Sequence, residues 1–266
     1  MYDPEYIARF YDNYGEREWE RLVVDPVQRV SFEVHKRLLH EYVKAGDRVF
    51  EAGSGPGRFT LELARMGARI IVGDISPEQL RLHREKTMEI ERSIEERVVV
   101  DVVDLSRFAD GEFDAVVCYG GPISYVLERA DDAVAELLRV TRRGGYLLLS
   151  VMSLVGSVRI FFSYFPDLVA THGWDSAVGE VIRTGLLTAE INNGHVLRLY
   201  RWRELREMLE RHPCRIIAAS AANFLVNGNE EAFEEDQRWL EEEIAACREP
   251  GALDGGTHIV AVVQRT

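Results

Sequence analysis

The sequence predicts an α/β protein: a doubly wound, mostly parallel sheet of seven strands, with a helical segment before it and an insertion after strand five. Three observations predict it. Five short apolar runs alternate with helical stretches between residues 48 and 152, the rhythm of a parallel sheet covered on both faces. A turn with glycine at alternating positions joins the first run to its helix. After Met152 the rhythm lapses for about fifty residues, then two more strand patterns follow.

Taken in order, residues 3–44 read as two or three helical pieces broken near Asp25-Pro26, ending at the turn Ala45-Gly46-Asp47. Arg48 to Ala52 is the first strand, and the glycines after it open a helix from about Arg58 to Met66. Ala68 to Asp74 is the second strand. Ser76-Pro77-Glu78 then starts a charged helix reaching Glu96, with proline at its first position. The third strand is placed at Val98 to Val103, the fourth at Phe113 to Tyr119, a helix at Asp131 to Thr141 and the fifth strand at Gly145 to Met152. Alternation resumes with a helix at Arg203 to Arg211, a strand at Arg215 to Ala221, one acidic helix from Glu230 to Cys247 and a last strand at His258 to Val263. Residues 1–266 are expected to form one domain: 1–45 a helical cap, 46–152 the ligand-binding core, 153–200 an insertion capping an acceptor, and 201–266 the rest of the sheet.

Composition narrows the function. A net charge of -13 argues against a general affinity for nucleic acid, which depends on clustered lysine and arginine. Three cysteines, far apart and without CxxC or Cys/His spacing, suggest neither a disulfide framework nor a zinc or other metal site. The N-terminal residues lack a signal-peptide layout, and the longest apolar region is interrupted by Arg159, so no membrane span and a cytoplasmic setting are expected.

In open α/β sheets, ligands lie beyond the carboxyl ends of the strands, where strand order reverses. Gly53, Gly55 and Gly57 occupy the first strand-to-helix turn, where the backbone must bend sharply and approach a ligand closely. A dinucleotide fingerprint needs a glycine at the sixth position from Gly53, and Arg58 stands there. Glu51-x-Gly53-x-Gly55-x-Gly57 instead resembles the glycine-rich turn of the class I S-adenosylmethionine-dependent methyltransferases, which have a Rossmann-like fold.

The resemblance extends over most of the chain. It implies that Asp74, followed by Ile75, holds the ribose hydroxyls, that Asp104 with Leu105 recognises the adenine, and that Glu51 faces the cofactor's amino group through water. It places Tyr119 and Gly120, after the fourth strand, beside the methionine end. RVTRRGGYLLLS at 139–150 is similar to the family's lead into strand five, and HVLRLYRWRELREML at 195–209 to its late segment; residues 153–194 are the weakest stretch. The implied cofactor is S-adenosyl-L-methionine, with S-adenosyl-L-homocysteine as product.

The acceptor is less marked. Tyr119-Gly120-Gly121-Pro122 stands where the family's Asn-Pro-Pro-Tyr or Asp-Pro-Pro-Tyr would mark transfer to planar amino nitrogens, so a small-molecule acceptor is expected. The N-terminal helices and the insertion offer an aromatic wall, with Tyr11, Tyr14, Tyr164 and Trp174 as candidate substrate contacts. His172 and His195 are the candidate bases, because an imidazole titrates near neutrality. A noncatalytic S-adenosylmethionine-binding module and an NAD(P)-dependent reductase are the alternatives. Oligomeric state is left open by the sequence.

Overall fold

The computed structural model describes all residues, 1–266. Three helices come first: α1 (Pro4–Tyr14), α2 (Arg17–Arg21) and α3 (Pro26–Tyr42). Aspartates cap the first and third, Asp3 accepting the amide of Tyr6 at 3.0 Å and Asp25 that of Gln28 at 2.7 Å, each with proline just inside the helix. The core then runs β1 (Arg48–Ala52), α4 (Arg58–Arg65), β2 (Arg69–Asp74), α5 (Pro77–Lys86), β3 (Ile94–Val99), β4 (Phe113–Cys118), α6 (Pro122–Tyr125), α7 (Ala130–Val140) and β5 (Thr141–Met152). The insertion holds α8 (Leu154–Ile160), α9 (Phe165–His172), α10 (Glu180–Thr184) and the short ribbon β6 (Leu186–Leu187) and β7 (Leu197–Arg198). The chain ends with α11 (Trp202–Leu209), β8 (Cys214–Ala221), α12 (Glu230–Glu235), α13 (Arg238–Cys247) and β9 (His258–Arg265).

The main sheet has seven strands in the order β3-β2-β1-β4-β5-β9-β8, with β9 antiparallel to both its neighbours. Strand order reverses between β1 and β4, which places the switch point, and the crevice it opens, at the glycine turn. Apolar runs on these strands follow from burial on both faces. Val49 and Ala115 pack in one cluster, while their neighbours Phe50 and Val116 pack in the other. Alternate residues of a strand point to opposite faces, so a strand between two helical layers needs apolar side chains at every position.

Several boundaries differ from expectation, and β5 starts at Thr141, ahead of the expected Gly145. The helix starting at Pro77 ends at Lys86, and β3 occupies Ile94–Val99 instead of Val98–Val103. β3 is the edge strand and carries exposed Glu95 and Glu96, charges that an edge tolerates and that read as a continued helix. The single acidic helix is two, because Asp236 adopts an extended conformation (φ -142°) and its carboxylate accepts the amide of Arg238 at 2.9 Å.

The cap is tied across the carboxyl ends of the strands. Ser76 donates to Asp12 at 2.5 Å, Gln79 Nε2 to the Tyr11 carbonyl at 2.9 Å, and Tyr6 OH to the Gly194 carbonyl at 2.6 Å. Ile7 of α1 joins Tyr125, Leu154, Val181, Leu197 and Leu199 in a small apolar cluster that holds cap, insertion and core together. No helix is long and apolar enough to cross a membrane.

Candidate functional site

A cavity lies over the glycine turn, bounded by the ends of β1, β2 and β4 below and by α1 and α2 above. Gly53 and Gly55 form its floor with φ of +69° and +52°, a left-handed backbone that glycine adopts freely. A Cβ on Gly53 would stand 2.4 Å from the Pro122 ring, so the turn needs glycine there on two counts.

Asp74 ends β2 inside this cavity. Its Oδ2 accepts the Gly55 amide and its Oδ1 the Ser76 amide, each at 2.9 Å. A carboxylate has about four lone-pair sites, so each oxygen keeps one for a ligand hydroxyl. Burial raises the Asp74 pKa to about 6, against the lowering by the backbone amides of Ser76, Gly55 and Ile75. Ile75, Tyr119 and Gly120 also line the cavity.

Four residues expected at the cofactor do not line the cavity. Asp104 lies at the surface with its carboxylate turned to the Ser106 amide (3.1 Å), and Leu105 is fully buried in the core; neither lines the cavity. Because β3 ends at Val99, Asp101 takes the place after the third strand. Its Oδ2 accepts Tyr2 OH at 2.8 Å, and both residues line the cavity. Glu51 is buried behind the turn, where its Oε2 accepts the Thr60 hydroxyl at 2.5 Å, and it does not line the cavity. Gly57 (φ +95°) is also outside; a Cβ there would meet His83 Cδ2 and Thr87 Cγ2 at 2.8 Å, so it serves packing behind the turn.

Sequence reasoning missed the partly buried ion pair of α2. Arg21 Nη2 donates to Glu18 Oε1 at 2.6 Å, and the pair lines the cavity against Gly55 and Gly120. A Glu-x-x-Arg spacing on a short helix carries no sign that it will be covered.

A second cavity adjoins the first and shares Tyr11, Glu18, Arg21, Gly120 and Tyr125 with it. Tyr14, Phe161, His195 and His258 complete its ring-rich wall. His195 is half-buried, packs on Phe10 with ring centroids 4.1 Å apart and has Nδ1 3.3 Å from Tyr125 OH. Burial holds its pKa below the usual imidazole range, so the ring is neutral near pH 7. His172, Tyr164 and Trp174 are corrected: none lines either cavity. His172 faces Glu190 at 3.3 Å, and Tyr164 and Trp174 are 63% and 62% exposed because α9 and the turn after it sit on the outside of the insertion. Tyr125 and His258, which the sequence did not single out, stand where those residues were expected.

Comparison with known proteins identifies the family. A family profile described as a methyltransferase domain matches residues 50–149. A demethylmenaquinone methyltransferase of Thermobifida fusca is 32% identical over 188 residues, which cover 66% of this chain and 70% of that protein. The chain belongs to the class I S-adenosylmethionine-dependent methyltransferases. A ubiquinone biosynthesis O-methyltransferase of Xanthomonas oryzae pv. oryzae is 33% identical over 112 residues, 41% of this chain and 44% of the relative, so the match spans less than half of that protein. Among solved structures, a 1,6-didemethyltoxoflavin-N1-methyltransferase of Burkholderia thailandensis has the same fold: TM-score 0.59, 15% identity, 100% of this chain and 92% of that one. The reductase alternative falls with this membership.

The first cavity of this methyltransferase suits the family's cofactor on its own chemistry. Asp74 keeps two acceptor sites for a vicinal diol, the glycines leave room for a ligand against the backbone, and Arg21 supplies a cation beside Gly120. Two polar atoms of the lining, Gln79 Oε1 and Tyr119 OH, are buried without a partner in the protein, as groups reserved for a ligand are. Arg58, which broke the dinucleotide pattern, stacks over Trp19 at 3.7 Å and donates to its carbonyl, so it fastens α2 down over the turn.

Proposed function

We propose that this methyltransferase transfers a methyl group from S-adenosylmethionine to a small planar acceptor, a ring bearing an ionisable hydroxyl, by in-line displacement. The observation that carries the reading is the wall shared by the two cavities: Tyr11, Arg21, Gly120 and Tyr125 face both, so a donor in one and an acceptor in the other meet. The similarity to a ubiquinone biosynthesis O-methyltransferase and a demethylmenaquinone methyltransferase supports it.

Bound in the first cavity, the cofactor supplies an electrophilic sulfonium methyl. Asp74 holds the ribose hydroxyls, Asp101 faces the adenine and Arg21 takes the carboxylate. Displacement at a methyl group needs alignment in a dry site more than acid or base chemistry. The cap supplies that enclosure, and Tyr11, Tyr14, Tyr125 and Phe161 set the plane of the acceptor. An acceptor hydroxyl must lose its proton, and neutral His195 takes it at Nδ1 through the Tyr125 hydroxyl. The charge of -13 and the ring-rich wall of the second cavity favour a small molecule over a nucleic acid.

Calorimetric titration with S-adenosylhomocysteine, followed by a cofactor-turnover assay over hydroxybenzoates and hydroxynaphthoquinones, tests this. Binding with turnover of at least one ring acceptor is expected. Failure to bind the product would overturn the reading, and binding without any turnover would favour a noncatalytic binding module.

A further inference from the structure

Behind the glycine turn, on the side away from the cavities, four buried polar side chains from four elements form one line. Arg97 of β3 donates from Nε to His83 Nδ1 at 3.0 Å; His83 Nε2 of α5 lies 2.8 Å from Thr60 Oγ1; Thr60 of α4 donates to Glu51 Oε2 of β1 at 2.5 Å. His83 and Thr60 are 0% exposed, Glu51 3% and the Arg97 side chain 6%. At its outer end Arg97 pairs with surface Glu91 at 2.6 Å, and at its inner end Gly57 rests on the His83 ring.

The direction of every bond is fixed. An arginine only donates, so His83 Nδ1 is the acceptor and Nε2 carries the proton. Nε2–H therefore donates to Thr60, and the Thr60 hydroxyl is left to donate to Glu51. A neutral His83 agrees with this tautomer, since burial and Arg97 lower its pKa to about 3. Mutual satisfaction of buried polar atoms would need neither a full cation at one end nor a carboxylate at the other. Here the cation reaches the carboxylate through two neutral links, and hydrogen bonds donated to a carboxylate favour its ionised form.

We propose that Arg97 and His83 are positioning residues which, through Thr60, fix Glu51 behind the glycine turn and favour its ionisation when the cofactor enters, so that its charge attracts the cationic amino group of the bound cofactor. This rests on the S-adenosylmethionine reading of the first cavity. The other charged group facing Glu51 is Asp74 on β2, which opposes its ionisation, while β4 offers only Val117. The relay works against both Asp74 and burial, which together still leave the Glu51 pKa raised in the ligand-free protein.

The test is calorimetric binding of S-adenosylhomocysteine to the full chain between pH 6 and 9, for wild type, Thr60→Val, Thr60→Ser, Arg97→Gln and Glu51→Gln. Thr60→Val keeps shape and removes only the hydroxyl, which guards against Arg97→Gln failing to fold. Thr60→Val and Arg97→Gln should each weaken binding about tenfold at pH 7, the scale of a charge-assisted hydrogen bond. They should also move the acid loss of affinity to higher pH. Thr60→Ser should bind as wild type does, and Thr60→Val should cost nothing further in the Glu51→Gln background. Wild-type affinity in Thr60→Val, an unmoved pH profile, or an equal loss in the Glu51→Gln background would overturn the relay alone. No binding by the wild type would overturn the donor reading and the relay with it.

Discussion

The Asp74 carboxylate accepts the amide of Gly55 at 2.9 Å, which joins the end of β2 to the glycine turn after β1 before any ligand is bound. Its other oxygen is taken by Ser76 N–H, so an amide at this position would set an NH₂ against a backbone donor on one side or the other. Asp74→Asn should therefore weaken S-adenosylhomocysteine binding by about 1–3 kcal/mol, the cost of stranding buried polar partners. Calorimetry on variant protein that keeps its circular dichroism checks it. An unchanged dissociation constant would remove Asp74 from the ribose site.

Asp101 and Asp104 separate two readings of the adenine end. Asp101 lines the cavity with Tyr2, whereas Asp104 is turned to Ser106 at the surface. Asp101→Ala should lower cofactor affinity at least severalfold, and Asp104→Ala should leave it at the wild-type value. The reverse order in parallel titrations would restore the sequence-based choice.

That choice shows what the sequence could carry. β1, β2, β4 and β5 were legible because burial on both faces demands apolar runs, and the glycine turn because its backbone admits little else. β3 was misplaced because an edge strand tolerates charge, and the acid after it moved with the strand end. Glu18 and Arg21 have the spacing of surface pairs such as Glu78 and Arg81, and only the docking of α2 turns them towards the cavity and partly covers them. Trp174 and His258 show the same limit reversed: ring type alone did not tell an outward residue from one that β9 carries into a cavity wall.

Gly57 and Gly55 should respond differently to alanine. At Gly57 the new Cβ meets His83 and Thr87 at 2.8 Å with φ at +95°, so strain and overlap combine, and Gly57→Ala should cost about 2–4 kcal/mol. At Gly55 the nearest atom is 3.4 Å away on the flexible Glu18 side chain, and only the backbone term of roughly 1 kcal/mol remains. Urea unfolding of both variants measures the difference. Equal losses would mean that packing against His83 does not matter.

His195 and Tyr125 are 3.3 Å apart at Nδ1 and OH, with Tyr125 on the wall common to both cavities. With an acceptor found in the turnover screen, His195→Ala should lower kcat about 10²-fold, the lower range for a positioned base. Tyr125→Phe, which removes the hydroxyl through which the proton passes, should lower it by a similar factor, and His195→Ala should leave S-adenosylhomocysteine affinity near the wild-type value. A fall in cofactor affinity equal to the fall in kcat would make His195 a packing residue.

Protonation should couple to cofactor binding. Burial first, and Asp74 nearby, raise the Glu51 pKa from 4.5 to about 8, and burial raises that of Asp74 from 3.8 to about 6. Between its ordinary and folded values each carboxyl holds more protons in the native than in the unfolded state, so stability falls as pH rises. For the ligand-free protein the thermal midpoint should therefore drop between pH 6 and 8, the part of the window where Glu51 ionises. A cofactor amino group and ribose hydroxyls favour the ionised carboxylates, so binding near pH 7 should release protons and flatten that drop. Titration with S-adenosylhomocysteine in buffers of different ionisation enthalpy reads the release directly. A binding enthalpy independent of buffer would mean that both carboxyls keep their protonation state when the cofactor enters.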